Sequence, residues 1–125
     1  MKRPELVTYR VRAMARCPEG GEIGLGGSVA YSPGGALSWV RRRAEQVAQQ
    51  LGAPYDGTVQ AWLADPAEQR WATEALVAGV PVLVRAVDEG GWTYTCLARP
   101  ERAALRVGAP HPRKGRAEVA VWSAA

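Results

Sequence analysis

The 125-residue sequence has no phenylalanine, no asparagine and one isoleucine, Ile23. Lysine occurs only at Lys2 and Lys114, and every other basic residue apart from His111 is arginine. This is the usage expected of a GC-rich bacterial genome. Arginine in place of lysine would otherwise point to bidentate phosphate recognition, so base composition lowers the weight of that signal. The scarcity of lysine also excludes a Walker loop, which needs Gly-x-x-x-x-Gly-Lys-Ser/Thr. The dinucleotide pattern fails as well, because Gly24 and Gly26 are followed by Val29 where a third glycine belongs.

Metal ligands and nucleophiles are equally scarce. The single histidine, His111, sits between Pro110 and Pro112, and the two cysteines, Cys17 and Cys96, have no CxxC spacing. A zinc site takes three or four ligands at characteristic spacings, so no metal and no cofactor is expected. Reduced thiols are the expectation for both cysteines. Asp56, Asp65, Glu68, Asp88 and Glu89 each fall at a turn or helix cap, which leaves no carboxylate pair for acid–base work. No catalytic residue is assigned. An enzyme stays in play only if a pocket brings Cys17, Cys96 or His111 beside an acid.

Long apolar runs are absent too. Nothing approaches the roughly 18 residues that cross a bilayer. The basic start Met1–Glu5 is not followed by a signal-peptide core, since Arg10 and Arg12 interrupt Leu6–Ala15. The expectation is a soluble cytoplasmic protein with no membrane association. With 47% hydrophobic and 22% charged residues, residues 1–125 suit one folded domain.

What is present is periodicity. Leu6–Arg16 alternates, with Val7, Tyr9, Val11, Ala13 and Ala15 on one side and Thr8, Arg10, Arg12, Met14 and Arg16 on the other, which predicts a half-buried strand. A glycine-rich stretch, Pro18–Gly27, reads as a turn or loop, and Gly27–Tyr31 as a short second strand. Ser32 and Pro33 start a helix whose stripe is Leu37, Val40, Ala44, Val47, Ala48 and Leu51, stopped by Gly52. Asp56-Gly57 reads as a turn. Thr58–Ala64 reads as a strand with Val59, Ala61 and Leu63 on one face. Asp65-Pro66-Ala67-Glu68 is a capping box opening a second helix, with Trp71, Ala72, Ala75 and Leu76 on one side. Val82–Val87 and Trp92–Arg99, around Asp88–Gly91, form a hairpin. Ala104–Val107 and Ala117–Trp122 read as strands, separated by a basic loop from Gly108 to Arg116. The class is α+β: two helices on one face of a mixed, mostly antiparallel sheet of about five strands, with a ferredoxin-like βαββαβ core as one drawing and a parallel βαβ unit as another.

Charge is segmental. Met1–Arg16 carries net +4, Arg41–Arg43 +3 and Arg102–Arg116 +5, while Ala44–Glu101 carries −5, in a chain of net +4. If the three basic segments converge, Arg10, Arg12, Arg16, Arg41, Arg42, Arg43, Arg113, Lys114 and Arg116 form a polyanion-binding face that neutralises phosphates without reading sequence. The alternative is three separate solvated surfaces. No helix-turn-helix, zinc-finger or RNP pattern is present. Trp92 and Tyr94 either stack bases or form a cross-strand core cluster. Ser32-Pro33-Gly34-Gly35 offers backbone N–H groups at a helix start. The leading expectation is a non-enzymatic module for nucleic acid or another polyanion. A protein-interaction module working through tryptophans or an open sheet edge is the alternative, and a small-molecule enzyme the third. Oligomeric state is left open.

Overall fold

A computed structural model describes residues 7–102 and 120–124. Its elements run β1 (Val7–Arg16), β2 (Glu22–Ala30), α1 (Pro33–Leu51), α2 (Gly57–Leu63), α3 (Pro66–Val77), β3 (Val82–Val87), β4 (Thr93–Arg102) and β5 (Ala120–Ala124). The class is α+β. Four strands pair antiparallel in the order β2-β1-β4-β3, and β5 lies beside β3 in parallel.

The alternation in β1 has its expected effect. Tyr9, Val11, Ala13 and Ala15 are buried while Arg10, Arg12 and Arg16 are exposed. Register carries the same parity across the sheet: Ala13 faces Cys96, Val11 faces Ala98, and Cys96 faces Val84. These residues form one core with Ala36, Val40, Ala44 and Ala48 of α1, Val59 and Trp62 of α2, and Ala72 and Leu76 of α3. The helices therefore cover one face of the sheet, as expected.

Both helix starts are as read. Ser32 Oγ accepts from the Gly35 N–H at 3.0 Å. Asp65 Oδ1 accepts from Ala67 N and Glu68 N at 3.0 and 3.3 Å. The reciprocal half of the capping box is replaced by Asp65 N–H donating to Trp62 O at 3.2 Å.

Several expectations need correction. Thr58–Leu63 lies within a helix, with Ala64 as its C-cap, and not in a strand, so three helices are present among the described residues, not two. Val59, Ala61 and Leu63 mimic period two, but the bulkiest residue of the segment is Trp62, and it is fully buried together with Val59 three positions earlier. That is helical spacing. Ala61, placed inside by the alternation, is exposed. Trp71 is 40% exposed, outside the core face of α3 that Ala72, Ala75 and Leu76 occupy. The second strand is longer than Gly27–Tyr31: it takes in much of the glycine stretch, with a register shift between Ala13 and Met14 absorbed near Gly24–Gly26. Because β1 turns directly into β2, the element order differs from βαββαβ. The helix–strand–helix–strand reading gives no parallel βαβ unit either, since its first strand, over Thr58–Ala64, is not formed. The Ala104–Val107 strand and the Gly108–Arg116 loop lie outside the described residues.

Candidate polyanion-binding face

The face of the sheet turned away from the helices is built by strand parity. β1 presents Arg10, Arg12 and Arg16 there, spaced roughly 6–7 Å apart where only one residue intervenes. Two arginines from the acidic middle of the chain join them. Arg99 of β4 stands directly opposite Arg10, and Arg85 of β3 opposite Thr95, which in turn faces Met14 of β1. Segment charge concealed both, because Arg85 and Arg99 belong to the stretch of net −5. The usable signal was parity along the predicted hairpin, combined with a register that only tertiary structure supplies.

Two carboxylates answer these five arginines. Glu101 accepts from Arg10 Nε at 3.0 Å and from Nη2 at 3.5 Å. Glu22 lies 3.8 Å from Arg16 Nη2. Both pairs are well exposed and contribute about 1 kcal/mol or less. Arg12, Arg85 and Arg99 have no ion pair among the described residues. A groove of about 590 Å³ on this face is lined by Met14, Arg16, Glu22, Arg85, Thr95 and Leu97 among others.

The α1 arginines do not join this surface. Arg41 Nη1 donates to Leu63 O at 3.2 Å, tying α1 to the end of α2. Arg43 lies over the Trp39 ring, 5.0 Å from its centroid, and donates to Gln46 Oε1 at 3.3 Å. Arg42 is exposed on the same helix. All three belong to the layer on the opposite side of the sheet from Arg10, Arg12 and Arg16. Arg113, Lys114 and Arg116 lie outside the described residues.

Of the two aromatics proposed for stacking, Tyr94 is not on the arginine face, and Trp92 lies just before β4. Tyr94 sits opposite Ala15 and Ala86 on the helix side. Its hydroxyl donates to Asp88 Oδ2 at 3.2 Å, while Asp88 Oδ1 accepts from Trp92 N at 2.9 Å, which closes the β3–β4 turn. Burial, together with the neighbouring Asp88 carboxylate and its hydrogen bond, raises the Tyr94 phenol above its ordinary value. At the start of α1, Ser32 already takes the Gly35 N–H.

The cysteines do not form a reactive centre. Cys96 pairs with Ala13 in the register, four residues before Cys17 along β1, which puts them about 13 Å apart along the strand. A disulfide tolerates Cα separations only up to about 7 Å. Burial pushes the Cys96 thiol up to about 12, against a smaller opposing pull from the Arg43 charge. Cys17 Sγ accepts from Gly21 N–H at 3.2 Å in the β1–β2 turn. His111 lies outside the described residues, and among those described no group of three His, Cys, Asp or Glu residues could hold a metal ion. No helix there is long and apolar enough to cross a membrane.

At one edge of the sheet, β2 pairs among the described residues only with β1 and is exposed along nearly its whole length, Ile23, Leu25 and Val29 included. No protein-family model, curated protein or solved structure matches the chain.

Proposed function

We propose that this protein is a non-enzymatic module that binds nucleic acid along its backbone, across the face of the sheet turned away from the three described helices. The observation that carries the reading is the gathering of Arg10, Arg12, Arg16, Arg85 and Arg99 from three adjacent strands on that face, where among the described residues Glu22 and Glu101 are the carboxylates paired with them. Strands about 4.8 Å apart and a two-residue repeat near 6.7 Å make a grid on the scale of backbone phosphates. The positions that carry the reading are arginines, so the contacts proposed are to phosphate, which give affinity without sequence selectivity.

The test is fluorescence polarisation with labelled single- and double-stranded DNA and RNA over a salt series. Arg12, Arg85 and Arg99 neutralising about three phosphates predict a log–log salt slope of about −2 to −3. Arg12→Glu combined with Arg99→Glu abolishes binding, and Arg42→Glu, on the opposite layer, leaves it unchanged. Absence of binding at low salt, or equal loss in all these variants, refutes the reading.

A second reading rests on β2. Its outer edge is unpaired among the described residues and carries exposed apolar side chains, which is the template for strand addition by a protein partner. Slow amide exchange along the outer edge of β2 at high concentration, and fast exchange on dilution, would support it. Fast exchange under both conditions counts against association of the chain with itself.

A further inference from the structure

The helix side of the sheet holds a second cavity, separate from the arginine face. It occupies about 420 Å³ between α1 and strands β1, β2 and β4, within the size range of small-molecule pockets. Ala13, Leu25 and Val47 give it an apolar interior, and Arg43, Gln46 and Tyr94 stand around it.

Arg43 is held in place from two sides. Its guanidinium lies against the Trp39 ring and is tied to Gln46 by one hydrogen bond. β2 leaves it room. Gly26 has φ +131°, and a Cβ there would come within 2.9 Å of Arg43 Nη2. The missing side chain at residue 26 is what lets the guanidinium settle at the cavity. The bond to Gln46 uses one of five N–H donors, and no carboxylate among the described residues pairs with Arg43. A cation already placed by stacking on Trp39 and by its bond to Gln46 loses little freedom when it takes a ligand. An apolar cavity with one immobilised guanidinium is complementary to a molecule with an apolar body and a single anionic end.

We infer that the cavity between α1 and β2 binds a small amphipathic carboxylate, its apolar body against Ala13, Leu25 and Val47 and its carboxylate on Arg43. The aliphatic class fits best, because the walls at Ala13, Leu25 and Val47 are aliphatic. The site is independent of the sheet face proposed for nucleic acid, since the two lie on opposite sides of the sheet.

The probe is octanoate, followed by ¹H–¹⁵N NMR on the full chain, with octanol as the neutral counterpart. Octanoate is expected to saturate, with shifts gathered at Leu25, Arg43, Val47 and Tyr94, and to bind at least about tenfold more tightly than octanol, a difference of about 1.4 kcal/mol. Arg43→Gln reduces octanoate to the affinity of octanol, whereas Arg70→Gln, which removes the same charge from the exposed side of α3, has no such effect. Leu25→Glu blocks the carboxylate while retaining Arg43, and an unchanged dispersion of the remaining amide signals shows that each variant is folded. Equal binding of octanoate and octanol, shifts centred on Arg12 and Arg99, or retention of the preference in Arg43→Gln would each overturn the inference.

Discussion

Alkaline pH destabilises this fold through Cys96. The thiol lies in the middle of β4, 3% exposed, between Ala13 of β1 and Val84 of β3. Burial moves it from an ordinary 9.0 to about 12. Between those values the unfolded chain has released its proton and the folded chain has kept it. The unfolded state then binds one proton fewer, so stability falls as pH rises, by about 1.4 kcal/mol per pH unit. The contribution is complete below pH 9 and is lost progressively towards pH 12. Roughly 2–3 kcal/mol disappear by about pH 11, a substantial part of the 5–15 kcal/mol typical of a domain. The assay is urea unfolding in steps from about pH 8 to pH 11, on the wild type and on Cys96→Ala. Other groups titrate equally in both, so the gap between the two curves isolates the thiol. Wild type is expected to lose its advantage over the variant as pH rises. Parallel curves would show that Cys96 ionises as readily in the folded chain as in the unfolded one, and the buried thiol would have to be abandoned. The same property bears on function, because a thiol kept neutral in the core supplies no nucleophile.

Two further outcomes are expected. Asp65→Ala removes the acceptor for two N–H groups at the start of α3, costing about 1 kcal/mol, which the urea midpoint at neutral pH detects. Glu101→Gln releases Arg10 from its ion pair, so nucleic-acid binding gains about one phosphate contact and the salt slope steepens by about 0.7–0.9. An unaltered slope would remove Arg10 from the binding face.

Local chemistry determined much of this molecule. The β1 alternation, the caps at Ser32 and Asp65 and the hairpin around Asp88–Gly91 follow from side chains only a few residues apart, and each element forms where its own residues direct it. Thr58–Ala64 shows where such reasoning fails. Over seven residues an alternating apolar pattern and a helical one coincide, and the choice falls to burial of Trp62 against the rest of the core, a contact no local pattern contains. The arginines divide between the two kinds of reasoning. Arg10, Arg12 and Arg16 share a face because a strand repeats every two residues, which the sequence states on its own. That Arg85 and Arg99 stand beside them depends on β4 pairing with both β1 and β3. Arg43 lies only two residues after Arg41, yet one supports a cavity and the other ties α1 to α2, since residues two apart on a helix face different directions. The sequence alone determined which side chains β1 and α1 turn outward. Tertiary structure decided which of them meet, because strand register and helix packing join residues that are distant in the chain.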